Sequence, residues 1–283
     1  MSIALDTLKE DITRSVEIAL AEDIGSGDIT AQLIPESQIN IAEVITRENC
    51  VICGTAWFDE VFIQLGGIRS IKWHVRDGDR VHANSHLVTL EGNTRNLLTG
   101  ERTALNFLQL LSGTATLSRR FADKVANTQI KILDTRKTIP GLRTAQKYAV
   151  AIGGCHNHRI GLFDAFLIKE NHITACRGIT QAVKKAREIA PGLRIEVEVE
   201  NREELLEAIH ARADIVMLDN FDRDQLNAAF ELENHTSVFE ISGLVTEENI
   251  NLDFANKVHR VSSGALTKNC RAVDLSFRLK PLE

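Results

Sequence analysis

From residue 130 onward the chain alternates short apolar runs with amphipathic segments, and this alternation limits the fold more than any other feature. The runs lie at 130–134, 165–169, 194–200, 214–219, 237–242 and 259–263, with helical segments near 178–190, 202–211, 222–232 and 246–256 between the later ones. Short apolar runs joined by helix-length connections specify parallel strands with crossover helices. Six such runs, with a weaker one near 149–152, approach a (β/α) barrel. Polar residues stand where the runs end: Asp134, Lys169, Asp219, Ser242 and Ser263. In a barrel these positions share the C-terminal rim, where catalytic groups converge. An open doubly wound sheet would collect ligands at one switch point and leave several of these ends unused.

The stretch 130–172, IKILDTRKTIPGLRTAQKYAVAIGGCHNHRIGLFDAFLIKENH, concentrates cations at two strand ends. Arg136 and Lys137 follow the first run, Lys169 follows the second, and Arg143, Lys147, His156, His158 and Arg159 lie between. Guanidinium groups bind carboxylate or phosphate through paired planar hydrogen bonds, so the stretch reads as an anion site. Arg194-Ile195-Glu196-Val197-Glu198-Val199-Glu200 alternates strictly. Its valines face one way and its glutamates the other. The run is either a barrel strand with inward glutamates paired to Lys169, Arg136 or Lys137, or an edge strand with a wet face. Buried carboxylates require such partners. Ser242-Gly243 and Ser263-Gly264 close the last two runs, where barrel enzymes bind phosphate through backbone N–H groups. Glu198 and Asp219 suit an Mg²⁺ ion held by one or two carboxylates on a polyanionic substrate. Lys169 alone leaves a Schiff-base lyase open.

The N-terminal part reads differently. Residues 5–22 have helical spacing with Asp6 or Thr7 as N-cap. Strands follow near 39–53, then a helix at 55–65, then strands 68–76 and 80–91 about the turn signal Asp77-Gly78-Asp79. Residues 77–87 resemble the turn of biotinyl or lipoyl carrier domains, but no lysine occurs between Lys72 and Lys124; the likeness implies a small barrel-like β element without carrier chemistry. Helices at 94–112 and 114–127 complete this half, and Arg102 reads as a surface charge beside Glu101. The acids of residues 22–28 lack calcium-loop spacing and read as a solvated loop. At 283 residues the chain holds one large domain or two smaller ones. A net charge of −6 argues against a general nucleic-acid binder. No run is apolar for long enough to span a membrane. Five cysteines make no disulfide framework, and Cys50 and Cys53 lack a second ligand pair for zinc, so the chain reads as cytoplasmic.

A family resemblance rests on Thr99-Gly100-Glu101-Arg102-Thr103-Ala104-Leu105-Asn106, Leu133-Asp134-Thr135-Arg136-Lys137-Thr138, Pro140-Gly141-Leu142-Arg143, Asn157-His158-Arg159, Leu167-Ile168-Lys169-Glu170-Asn171-His172, Met217-Leu218-Asp219-Asn220 and Gly264-Ala265-Leu266-Thr267. In this order and spacing, over nearly the whole chain, they resemble the quinolinate phosphoribosyltransferases (nicotinate-nucleotide pyrophosphorylases, carboxylating). The resemblance implies an incomplete TIM-like (β/α) barrel over 113–270 and an N-terminal α/β sandwich over 1–112, to which a tail at 271–283 returns. It implies that Arg136, His158, Arg159 and Lys169 bind the two carboxylates of quinolinate, with Thr135 also on substrate, and that Arg102 enters from a neighbouring subunit of a homodimer or hexamer. Lys137, Glu198 and Asp219 would surround the ribose, pyrophosphate and Mg²⁺ of phosphoribosyl pyrophosphate. The two Ser-Gly loops at 242–243 and 263–264 would hold its 5-phosphate. Leu244 departs from the glycine of many members, and Cys155-His156 from the smaller residues usual before Asn157. A paralogue acting on nicotinate and a non-catalytic anion binder remain as alternatives.

Overall fold

The computed structural model describes residues 5–243, 245–250 and 256–280. The chain divides into two compact units that are interleaved in sequence: Met1–Arg120 with Thr138–Cys155 and Leu266–Glu283, and Phe121–Lys137 with His156–Ala265.

In the first unit, a 3-10 turn (Leu5–Leu8) leads into helix α1 (Lys9–Ile24), followed by strands β1 (Ile39–Thr46) and β2 (Cys50–Val51) and helix α2 (Thr55–Gln64). Strands β3 (Ser70–Trp73), β4 (Arg80–Val81) and β5 (His86–Asn93) then lead into helix α3 (Thr94–Lys124), whose residues from Phe121 on are counted in the second unit. The leading 3-10 turn displaces the expected cap: α1 begins after Leu8, with no side-chain cap. The two expected strands do pair antiparallel, from Ser70 with Glu91 to Trp73 with Val88, but residues 77–79 do not form the tight turn between them: β4 leaves to pair with β2. Asp77 explains this, because its carboxylate accepts the N–H groups of Gly54 and Thr55 at the start of α2 and the Tyr148 hydroxyl. No small barrel forms among the described residues; the sheet is four-stranded, in the order β12-β1-β5-β3, where β12 is Leu275–Leu279. The tail therefore returns as a strand against β1. Cys50 and Cys53 are thiols in this unit's core.

The break expected at Ser112-Gly113 is absent, and α3 runs unbroken through it. A Cβ on Gly113 would lie 2.1 Å from the Arg271 carbonyl oxygen, so this glycine admits the returning tail and does not end a helix. Leu97, Ala104, Leu108, Leu111 and Ala115 form the fully buried stripe that makes the sequence read as helical. The weak run near 149–152 is no strand. It lies in helix α4 (Arg143–Ile152), whose Tyr148 and Ala149 join the first unit's core.

The second unit contains strands β6 (Lys131–Leu133), β7 (Phe166–Ile168), β8 (Ile195–Val199), β9 (Ile215–Asp219), β10 (Val238–Ser242) and β11 (Arg260–Ser262). Helices α5 (Glu170–Cys176), α6 (Ile179–Ile189), α7 (Arg202–His210) and α8 (Arg223–Phe230) lie between them, and α9 (Ala265–Lys268) starts at this unit's last residue and otherwise belongs to the first unit. Capping fixes two starts: Asn201 accepts the Glu204 N–H, and Asp222 and Gln225 form a reciprocal capping box. The expected helix at 246–256 does not form over 246–250, and residues 251–255 lie outside the described residues. Every strand pair is parallel, in the order β6-β11-β10-β9-β8-β7. Each strand from β7 to β11 adjoins its chain neighbour, and the first strand adjoins the last. That is a single circular winding opened between β6 and β7, an incomplete barrel, whereas a doubly wound sheet reverses direction midway.

Candidate active site

Register decides which side chains meet. Leu167 aligns with Glu196, Glu196 with Ile215, Glu198 with Met217, Glu240 with Met217 and Arg260, and Ser242 with Asp219. Aligned residues of parallel strands point the same way and alternate residues share a face. One face of the sheet therefore carries Glu196, Glu198, Asp219, Glu240, Ser242 and Arg260, with Lys169 at the end of β7. The opposite face carries Val197, Val199, Val216, Leu218 and Val261, all buried. The wet-edge alternative for residues 194–200 is thereby excluded, since β8 lies between β7 and β9 and Glu196 is 3% exposed.

One inward glutamate takes an expected partner and the others do not. Lys169 does pair with Glu198. Glu196 instead lies 3.0 Å from His158 Nε2, and Glu240 lies 3.6 Å from the same nitrogen. Arg260 Nε donates to the other Glu240 oxygen at 2.7 Å. His158 is placed by its backbone: buried Asp134 accepts the His158 N–H at 2.8 Å and the Asn157 side-chain amide at 2.7 Å. The Arg159 N–H points at His158 Nδ1 from 2.7 Å, so this geometry holds the neutral ring with its proton on Nε2, toward the carboxylates. Burial opposes a second proton on His158, but Glu196 and then Glu240 outweigh it and draw its pKa upward. Glu240 is itself pushed up, by burial first and by the Glu196 charge second, with His158 and Arg260 opposing. Sequence reasoning passed over Glu240 and Arg260, although a glutamate within Val238-Phe239-Glu240-Ile241-Ser242, alternate to Ser242, was a usable signal.

Two guanidinium groups lie beside this cluster, near enough for Arg136 and Glu196 to act on the Arg159 charge. Arg136 and Arg159 each bury Nε with no hydrogen-bond partner among the described residues. Burial, and then the Arg136 cation, hold Arg159 below the usual arginine range. Arg159 is anchored through Nη1, which donates to the Ala165 carbonyl at 3.1 Å. Thr135 Oγ1 accepts the Lys137 N–H at 3.1 Å, and the Lys137 stem lies over Gly264, where a Cβ would stand 3.0 Å from Cδ. Gly243 has φ +129°, and a Cβ there would come within 2.5 Å of Asn220 Oδ1. Asn220 in turn donates to Asp219 Oδ2 at 2.9 Å. The Ser263 hydroxyl is fully buried and committed to the Val245 carbonyl and the Ala265 N–H. Leu244 lies outside the described residues.

Other expected members stand apart. Arg143 and Lys147 belong to α4 in the first unit, where Lys147 is fully buried and Arg143 donates to Thr138. His156 lines a cavity of about 1080 Å³ with Lys131, Arg194, Arg212 and His259, at the N-terminal ends of the strands and away from the rim. Cys155 packs in the first unit with Sγ donating to the Ser118 carbonyl. Arg102, in the first unit, is exposed in a depression of about 280 Å³ beside Asp23 and Asp28. Asp28 is engaged by Thr30, Ala31 and Thr99, so the loop is braced by its own hydrogen bonds.

Comparison with known proteins agrees with this architecture. Residues 28–112 match the model of the quinolinate phosphoribosyl transferase N-terminal domain, and residues 114–278 match that of its C-terminal domain. A probable nicotinate-nucleotide pyrophosphorylase (carboxylating) of Bacillus subtilis is 42% identical over 258 residues, covering 90% of this chain and 89% of its own. The nicotinate-nucleotide pyrophosphorylase (carboxylating) of Mycobacterium leprae is 38% identical, covering 97% and 98%. The solved structure of the Francisella tularensis nicotinate-nucleotide pyrophosphorylase superposes with a TM-score of 0.91 at 46% identity, covering 96% of each chain. With both domain models matched in order and the incomplete barrel in place, the chain belongs to the quinolinate phosphoribosyl transferase family.

Proposed function

We propose that this chain transfers the phosphoribosyl group of phosphoribosyl pyrophosphate to quinolinate with loss of CO₂, giving nicotinate mononucleotide and pyrophosphate for NAD synthesis. The observation that carries this reading is the pair Arg136 and Arg159, two adjacent guanidinium groups with buried, unpartnered Nε atoms. Adjacent, partly buried like charges favour an anion between them, and an aromatic diacid supplies two carboxylates where nicotinate supplies one. Arg136, His158, Arg159 and Lys169, with Thr135, bind the diacid.

The pyridine nitrogen attacks the ribose anomeric carbon as the bond to pyrophosphate breaks, through an oxocarbenium-like transition state. Glu198 and Asp219 stabilise the positive charge that develops on the ribose, and Lys137 meets the departing pyrophosphate. Ser242-Gly243 and Gly264 let backbone approach the 5-phosphate, while Ser263 acts by shaping that loop. The bond from ring C2 to its carboxylate then breaks; the electron pair stays on C2, beside the cationic ring nitrogen, and takes up a proton. No cofactor electron sink is required.

Mg²⁺ fits this arrangement, because Glu198 and Asp219 share one face at the ends of adjacent strands and Mg²⁺ commonly takes one or two carboxylates plus substrate phosphates. When bound, it supplies charge neutralisation to the pyrophosphate. Arg102 would complete the site of a neighbouring subunit, making a homodimer the smallest active unit and a hexamer an assembly of such dimers. The cysteine thiols suit the cytoplasm, and no described helix is long and apolar enough to cross a membrane.

The test is product identity. Purified protein with phosphoribosyl pyrophosphate and Mg²⁺ should form nicotinate mononucleotide from quinolinate and little from nicotinate. Preference for nicotinate would favour the paralogous transferase, and turnover of neither would favour an anion-binding protein.

A further inference from the structure

We infer that Glu240 and Arg260 are positioning residues that act through His158, holding its ring in one tautomer at the floor of the diacid pocket. The inference rests on the quinolinate reading of that pocket. Glu240 and Arg260 are register partners on adjacent strands, and both point to the inner face. Arg260 Nε takes one Glu240 oxygen at 2.7 Å, which turns the other toward His158 Nε2 at 3.6 Å. Glu196 approaches the same nitrogen at 3.0 Å from β8. On the far side of the ring, the Arg159 N–H occupies Nδ1. The imidazole is therefore gripped from four sides: by β8, by β10, by the Asp134-anchored backbone and by its own neighbour Arg159.

The carboxylates are fully or nearly fully buried, so they cannot be a solvated pair that happens to lie near the ring. Glu240 also has its counter-charge in Arg260 on a strand that brings no other charged group to the row. Removing Arg260 leaves the Glu240 charge buried without its counter-ion, and removing Glu240 takes away the carboxylate that faces Nε2 from β10 beside Glu196. The row thus links β11 to Arg159, one of the two guanidinium groups assigned to the diacid. His158, Glu196 and Glu240 also lie close enough together to ligate a cation. Arg260 already fills that electrostatic role.

Glu240→Gln, Arg260→Lys and the double variant Glu240→Gln/Arg260→Gln test this. Glu240→Gln should raise the KM for quinolinate about tenfold and leave the KM for phosphoribosyl pyrophosphate within about twofold, as for loss of one buried charge facing the ring at 3.6 Å near a single subsite. Arg260→Lys, which keeps the charge, should recover most of the quinolinate affinity lost in Arg260→Ala. The double variant should be less impaired than Arg260→Ala. Nitrogen NMR of His158 in the resting protein should report the Nε2–H tautomer in the wild type and a mixture in Glu240→Gln. Equal changes in both KM values, or an unchanged His158 signature in folded Glu240→Gln, would overturn the inference. So would a metal ion that survives chelator dialysis and is lost in Glu196→Gln. Should Glu240→Gln fail to fold, the Arg260→Lys against Arg260→Ala comparison decides the same question: a lysine no better than alanine would overturn the inference. The NMR signature needs no turnover, so a wild type that ignores quinolinate, with the tautomer change still seen in Glu240→Gln, would sink the proposed function and leave only the ring-positioning roles of Glu240 and Arg260 standing.

Discussion

Arg136 and Arg159 show what one residue type in one place can decide. Each guanidinium is planar and permanently charged, and each keeps a buried Nε without a partner among the described residues. Truncating Arg136 to alanine should cost about 1.5–3 kcal/mol of diacid binding, the range for a hydrogen bond to a charged group. The expected reading is a rise of one to two orders of magnitude in the KM for quinolinate with the KM for phosphoribosyl pyrophosphate nearly unchanged. Equal losses for both substrates would remove Arg136 from its assigned role. These cations were legible in the sequence because Asp134-Thr135-Arg136-Lys137 and Lys169 follow apolar runs. Glu240 and Arg260 were not, because only the register of β10 against β11 and the loop fixed by Asp134 bring them to His158. Asp59 supplies a pH prediction. Burial, with a smaller push from Asp77, raises its pKa to about 6, against the Trp73 N–H that it accepts. The folded state therefore binds more protons than the unfolded one between 3.8 and about 6, so stability falls as pH rises through that window and levels off above it. Asp59→Asn keeps an acceptor for Trp73 and should raise stability at pH 7.5 by about 1–2 kcal/mol, discounted for partial exposure. Below pH 3.8 the gain should vanish. Thermal melts at both pH values check this, and an equal gain at both would contradict it.

At the scale of elements, helix periodicity and the apolar runs of the second unit were legible, because a buried stripe and a two-residue alternation are local properties. All six runs became strands, each trimmed by one residue at one or both ends. Breaks were not legible. Gly113 looks like a helix stop only until the tail is in place, since nothing local announces that the Arg271 carbonyl must pass at that point. Gly113→Ala makes the distinction measurable. An ordinary helix interior would gain about 1 kcal/mol from alanine. Here a Cβ 2.1 Å from a backbone oxygen forces α3 and the tail apart, and a net loss of about 2 kcal/mol is expected. Amide exchange at Val273, whose N–H donates to the Gln109 carbonyl, should accelerate. A more stable variant with Val273 still protected would contradict the assignment. The tightness of the turn at Asp77, though not the antiparallel pairing around it, was misread for a related reason: its carboxylate caps α2, a partner more than twenty residues away in sequence.

For the whole molecule, two units interleaved in sequence are expected to divide the work: the second carries the pocket cations and carboxylates, and the first carries Arg102. Family likeness, not local pattern, led to that division, since Arg102 taken alone reads as a surface charge. If Arg102 works in a neighbouring subunit, mixing Arg102→Ala with Glu198→Gln protein under exchanging conditions should restore up to about a quarter of the wild-type activity, from statistical pairing of one intact site per heterodimer. No restoration in dimers shown to exchange would place Arg102 outside that role. The order of events at the site is the core of the proposed function: the diacid is ribosylated first and decarboxylated only then, because the cationic ring is what stabilises the departing electron pair. Turnover of quinolinate labelled in its C2 carboxylate reads that order out. Labelled CO₂ should equal nicotinate mononucleotide in amount, and none should appear when phosphoribosyl pyrophosphate is withheld; CO₂ released without the sugar donor, or nucleotide formed with the label retained, would contradict it.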